Sequence, residues 1–237
     1  MYFKLINAIY HLHIPRTSGI FIKRPISEYS EINKKKMLSG HDFKIKKEDF
    51  KDKDYIIGHY GLTPVPYSKK TFSILRDPVE RSFSYMKYIW KWFYSDRSVE
   101  DTFNFFLTDR NFRELLSNQQ SKFLTQTTDL KNYNNNINDM EKHVMSGWSL
   151  INKEINTKSV LESINKNNIE ILFFEDKDLY KKVFSIFELN NMPNLDFSKK
   201  INESPAIDLK LYKECYNEIY KINDIDIDVY NSLRKDS

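Results

Sequence analysis

Short apolar runs separated by longer amphipathic stretches set the pattern of this chain. Residues 8–14 read as a strand, and Asp54–Gly61 reads as a second short buried strand. Phe72, Ile74 and Leu75 mark a third, and Ile169–Phe174 a fourth. Between them, helical periodicity recurs. From Pro78 to about Tyr94 the apolar residues Val79, Phe83, Met86, Trp90 and Phe93 are spaced alternately by four and three, as a buried helical face requires. A polar stripe of Glu80, Ser84, Lys87 and Lys91 runs along another side. Helices are also expected across 99–130, over Thr157–Asn167 and Leu179–Leu189, and over Asp208–Asn223 and Asp226–Arg234. Thr17–Lys23 predicts a short helix that Arg24-Pro25 breaks. Asn132–Asn138 reads as an Asn-rich loop, Pro193–Pro205 as an irregular connection, and the Lys-rich residues 30–53 as solvated surface. The expectation is an α/β domain spanning 1–237, a parallel sheet flanked by helices with a helix-rich C-terminal half.

Two of the predicted strands end in unusual chemistry. After the first comes His13-Ile14-Pro15-Arg16-Thr17-Ser18-Gly19, a Pro, a cation, two hydroxyls and a Gly in succession. Free amides at a strand-to-helix turn attract phosphate or sulfate, and an adjacent cation adds a charge-assisted contact. After the third comes Arg76-Asp77-Pro78-Val79-Glu80-Arg81-Ser82-Phe83-Ser84. Here Asp77 suits an N-cap, Pro78 the first helical position and Glu80 a capping box. In open parallel sheets, ligands bind where such strands end.

These two stretches resemble the cofactor motifs of the carbohydrate sulfotransferases that use 3′-phosphoadenosine 5′-phosphosulfate (PAPS), such as heparan sulfate 2-O-sulfotransferases. The family's first motif reads H-I-P-K-T-[AG]-G-T-S and holds the 5′-phosphosulfate. Its second reads L-R-D-P-[VL]-E-R-x-x-S and holds the 3′-phosphate. The resemblance implies a P-loop NTPase-like sulfotransferase fold and transfer of a sulfuryl group from PAPS to a hydroxyl of a glycan. The run Asn118–Leu124 resembles a further family segment, with Ser121 and Lys122 at its Thr and Arg positions. By the same resemblance, the loop carrying Lys200, Asn202 and Ser204 closes over the nucleotide.

For the donor, the candidate contacts are the backbone amides from Arg16 through Gly19, Ile20 and Phe21, with the hydroxyls of Thr17 and Ser18. Arg16 is the candidate for stabilising the leaving oxygen. The family has Lys there. Arg stays charged at any working pH, so it stabilises without donating a proton. Ile20 and Phe21 replace the family's Thr-Ser. Arg76 and Ser84 are the candidates for reading the 3′-phosphate, and Arg81 reads as a structural partner of Asp77 or Glu80. His59 is the candidate general base, because an imidazole titrates near neutral pH. His41 ranks second. His11 and His13 read as packing or loop-supporting groups, and no motif surrounds His143.

The chain has 237 residues, 40% hydrophobic and 15% aromatic, with a net charge of +4 and one cysteine, Cys215. Charge of this size does not call for nucleic acid, and the lone cysteine suits a reducing compartment. No signal peptide or membrane span is apparent, so a cytoplasmic location is expected. The five histidines and the cysteine lack ligand spacing, so no metal is expected. Acceptor recognition is expected in 30–53 and 95–150. Trp90, Trp92 and Tyr94 fit a sugar-stacking platform or, more commonly, core. Two other readings stand beside the enzyme. One is a nucleotide-binding module of the same fold impaired in turnover. The other is a P-loop kinase, disfavoured because G-x-x-x-x-G-K-[ST] is missing.

Overall fold

The computed structural model describes residues 7–39, 44–136, 138–151, 153–189 and 208–235. Five strands form one sheet: β1 (Ala8–Leu12), β2 (Met37–Ser39), β3 (Tyr55–Gly58), β4 (Ser68–Leu75) and β5 (Ile169–Phe173). Their order is β2-β3-β1-β4-β5 and every pairing is parallel. The helices are α1 (Gly19–Ile32), α2 (Pro78–Phe93), α3 (Val99–Thr108), α4 (Arg110–Leu116), α5 (Gln119–Thr125) and α6 (Leu130–Asn136). They continue with α7 (Met140–Met145), α8 (Thr157–Lys166), α9 (Leu179–Ile186), α10 (Leu209–Ile222) and α11 (Asp224–Lys235).

Because parallel strands are covered on both faces, successive side chains feed two cores. Ile9, Tyr55, Ile57 and Phe72 pack against Ile22 and Ile26 of α1 and Val183 of α9. Tyr10, Leu12, Ile56 and Leu75 belong to a larger core shared with α2, α3, α4, α5, α8, α10 and α11. Tyr10 closes its polar end by donating its hydroxyl to the Gly61 carbonyl at 2.8 Å.

Three expectations about local structure are corrected. First, α1 does not stop at Lys23; it runs through Pro25 to Ile32. A proline inside a helix costs about 3 kcal/mol. Burying Ile22 and Ile26 contributes about 1.5–3 kcal/mol each, so packing outweighs the breaker. Second, the Asn-rich stretch is largely helix α6. Asp129 Oδ1 accepts the Lys131 and Asn132 amides at its start, and Tyr133 is fully buried. Third, the Lys-rich segment 30–53 is not all solvated. It holds the edge strand β2 and the buried residues Leu38, Ile45 and Phe50. Lys34–Lys36 precede β2, a common way of protecting an exposed sheet edge. Among the described residues, no helix is long and apolar enough to cross a membrane.

Candidate functional site

The sheet order fixes where the site lies. β1 is flanked by β3 on one side and β4 on the other. After β1 the chain crosses toward β2 and β3, and after β4 it continues toward β5. The connections leaving β1 and β4 therefore diverge, and a crevice opens beyond their carboxyl ends. The Arg16 loop, Arg76 and, at the end of neighbouring β3, His59 all lie at that edge.

The loop after β1 is shaped by left-handed backbone. Arg16 has φ 72° and Ser18 has φ 83°, and Ser18 stands at the N-cap of α1 without a side-chain cap. The first helical amide bond to the cap runs from Ile22 N to Ser18 O at 3.4 Å. Gly19, Ile20 and Phe21 thus occupy the first turn, whose amides have no partner within the helix. The Ser18 hydroxyl is buried and unpartnered. Thr17 differs from expectation: its hydroxyl donates to the Ile14 carbonyl at 2.9 Å, bracing the loop. Gly19 is required by close packing, since a Cβ there would lie 1.9 Å from the His13 ring. The Ile20 and Phe21 side chains lie outside this cradle: Ile20 is exposed, and Phe21 meets Tyr180.

Arg76 and Arg16 converge. Arg76 Nη1 donates to the Arg16 carbonyl at 3.5 Å, and Arg16 Nε donates to Ser84 Oγ at 3.0 Å. Ser84 lies on the polar stripe as expected, but it is buried and engaged by Arg16 rather than open. The Arg16 guanidinium lies over the Tyr88 ring and that of Arg76 over Phe174, at 5.2 and 4.8 Å. Gln120 clamps the strand end, with Arg76 N donating to its Oε1 at 3.0 Å and its Nε2 donating to Arg76 O at 2.9 Å. Burial first, and Arg76 second, push the Arg16 guanidinium below its usual pKa. Burial lowers Arg76 too, against the carboxylates of Glu80, Glu175 and Asp77. Lys87 is lowered by burial; Arg76 and Arg16 add to this, and Glu80 opposes it. Three cations thus crowd one crevice beside a helix N-terminus, a field suited to a polyanion.

At the start of α2, the Asp77 carboxylate accepts the Glu80 amide at 2.9 Å as the cap motif requires. The reciprocal half of the capping box is missing. The Asp77 amide donates to Glu175, and Glu80 instead accepts from the Tyr212 hydroxyl and lies 4.0 Å from Arg76. Arg81 is structural, with partners other than those expected. It is fully buried and donates to Gln119, Ser82 Oγ and the Leu116 carbonyl.

His59 is 4% exposed, and its Nδ1 lies 2.8 Å from the His13 carbonyl. A carbonyl only accepts, so Nδ1 donates to it. The ring sits between those of His13 and Trp148, at centroid distances of 4.2 and 4.0 Å, with Phe123 edge-on at 6.0 Å. His143, which no motif singles out, packs edge-to-face on the other side of Trp148 at 4.7 Å. His11 is a packing group stacked on Phe72, its pKa lowered to about 3 by burial. Trp90 packs partly into the core and Trp92 is exposed.

Lys200, Asn202, Ser204 and His41 lie outside the described residues. Sequence reading missed Lys87, Tyr88, Gln120 and Trp148. Lys87 and Tyr88 follow Ser84 at helical i+3 and i+4 spacing, a signal that was available. Gln120 lies within the run Asn118–Leu124 that was singled out without a role for it, and Trp148 reaches the site through tertiary packing and carries no such signal. No protein-family model, curated protein or solved structure matches this chain.

Proposed function

We propose that this protein is a PAPS-dependent sulfotransferase of the P-loop type, moving a sulfuryl group to a hydroxyl of a carbohydrate acceptor. The observation that carries the reading is the convergence of Arg16 and Arg76 at the carboxyl ends of β1 and β4. Those cations belong to the two motifs that resemble the family's donor loops. The residues fit an adenosine carrying anionic groups at both ends. The first-turn amides of α1 suit one phosphate group. Arg76 and Lys87 supply charge for the other.

In the transfer, the acceptor oxygen forms a bond to sulfur, the bond from sulfur to the donor phosphate breaks, and adenosine 3′,5′-bisphosphate leaves. The chain's own residues orient the groups and manage charge. Arg16 stabilises the departing oxygen without donating a proton. His59, fixed with Nδ1–H toward the His13 carbonyl, offers Nε2 to the proton of the acceptor hydroxyl.

Calorimetric titration with adenosine 3′,5′-bisphosphate against adenosine 5′-phosphate tests the donor site. A large preference for the bisphosphate is expected, and equal affinities refute the reading. A second reading, a nucleotide-binding module impaired in turnover, is favoured by Arg16 in place of Lys and by its engagement with Ser84. On that reading Arg16→Lys creates sulfuryl transfer where the native protein has none. Transfer by the native protein that is lost in His59→Ala favours the enzyme.

A further inference from the structure

Gly147, Trp148 and Ser149 form a run of left-handed residues, with φ of 60°, 62° and 57°. For a bulky side chain such as Trp148 this conformation is an outlier, and glycine alone adopts it freely. Strain of this kind persists where the surroundings over-determine it, and it collects at ligand sites. The turn has two roles. It lays Trp148 on the candidate base His59. Its Gly147, with Met145, Ser146 and Leu150, forms one wall of a cavity of about 280 Å³ whose other walls come from α4 and α5. The volume lies just under the usual range of about 300–1,000 Å³ for small-molecule sites, so its occupant is small.

The lining chemistry selects the occupant. Asn111 and Gln119 bring amides, Ser146 a hydroxyl and Leu115 an apolar surface. Lys122 Nζ donates to Glu114 Oε1 at 2.7 Å, so the charge at the wall is cancelled. Gln119 is 2% exposed. Its Oε1 accepts from Arg81. A small pocket with a few convergent polar groups and no net charge suits a neutral, hydroxyl-bearing ring.

We propose that this cavity is a subsite for one uncharged sugar ring of the acceptor, neighbouring the ring that carries the reacting hydroxyl. The proposal rests on the sulfuryl-transfer reading. Two connections join the cavity to that chemistry. Gln120, next to Gln119, clamps the backbone of Arg76, and Phe123, next to Lys122, meets the edge of His59. The position also falls within 95–150, where acceptor recognition is expected.

The test uses the full chain without nucleotide and follows saturation-transfer NMR and calorimetry. The probes are cellobiose, lactose, maltose and N,N′-diacetylchitobiose, with a sulfated heparin disaccharide as the anionic counterpart. At least one neutral disaccharide should bind. Its affinity should fall at least tenfold in Asn111→Trp, a substitution at an exposed position that blocks the cavity, while adenosine bisphosphate affinity stays unchanged. A second variant, Glu114→Gln, uncovers the Lys122 charge and should raise binding of the sulfated disaccharide several-fold. The proposal is overturned if no neutral disaccharide binds, if Asn111→Trp binds it as well as the native chain, or if the native chain prefers the sulfated probe. Neutral-sugar binding that Asn111→Trp abolishes, in a chain that ignores adenosine bisphosphate, supports the subsite and refutes the donor reading.

Discussion

Arg76 and Arg81 come from the same motif, yet they serve opposite kinds of polar region. Around Arg81 the charge is used up internally. Arg81 donates to Gln119, Ser82 and Leu116. Asp226, whose charge acts on Arg81, accepts the amides of Gln120 and Ser121 at 2.9 and 2.7 Å. Asn118 returns a contact to the Asp226 amide at 3.0 Å, tying the start of α5 to the start of α11. Around Arg76 cations gather at the strand ends: Arg76 lowers the basicity of Arg16, and both lower that of Lys87, with the carboxylates of Glu80, Glu175 and Asp77 as counter-charges to Arg76. Buried charge held by several internal partners specifies structure, whereas cations gathered where strands end are candidates for a ligand.

The comparison can be broken most severely at Arg81. Arg81→Met leaves the Asp226 carboxylate buried without its cation, and a loss of about 3–5 kcal/mol is expected in urea unfolding. A change below about 1 kcal/mol would remove the structural assignment. Arg76→Ala should do the reverse. Its affinity for adenosine 3′,5′-bisphosphate should fall about 100-fold, or roughly 2.7 kcal/mol, while stability changes by less than about 1 kcal/mol because the Glu80 pair is partly exposed. Unchanged affinity would place the nucleotide elsewhere.

His11 sharpens the contrast, being buried with no protein hydrogen-bond partner for its ring nitrogens. Its folded pKa lies near 3, below the ordinary 6.5. Below 6.5 the unfolded chain therefore binds the extra proton, and stability falls as pH drops, by about 1.4 kcal/mol per unit. Near pH 5 this amounts to about 2 kcal/mol. His11→Leu should flatten that slope in denaturation measured from pH 7 to 5, and an unaltered slope would contradict the burial. The smallest effect is expected at Lys87. Lys87→Met should weaken the bisphosphate about fivefold, roughly 1 kcal/mol, and reduce the salt dependence of binding. A salt dependence identical to that of the native chain would exclude Lys87 from the cluster.

Much of the scaffold around the site was legible from local rules. The Asp77 cap and Pro78 start α2 where the residue types require, and the strand ends at Leu12, Gly58 and Leu75 fall next to the residues singled out. Local rules failed where distant burial outweighed them. Pro25 stays inside α1 because Ile22 and Ile26 reach the sheet, and the Asn-rich stretch coils because Tyr133 has a core to enter.

By itself the sequence determined the two cation-bearing strand ends, the imidazole after β3 and the alternation of strand and helix, since each depends on neighbours within a turn or two. The tertiary structure alone decided that β1 lies between β3 and β4, which brings Arg16, Arg76 and His59 to one edge. It also decided that Arg81 is fully buried while Arg76 is only half-buried, and that Trp148 stacks on His59. Those outcomes depend on contacts between residues far apart in the chain, where packing and desolvation rather than local preference set the energy.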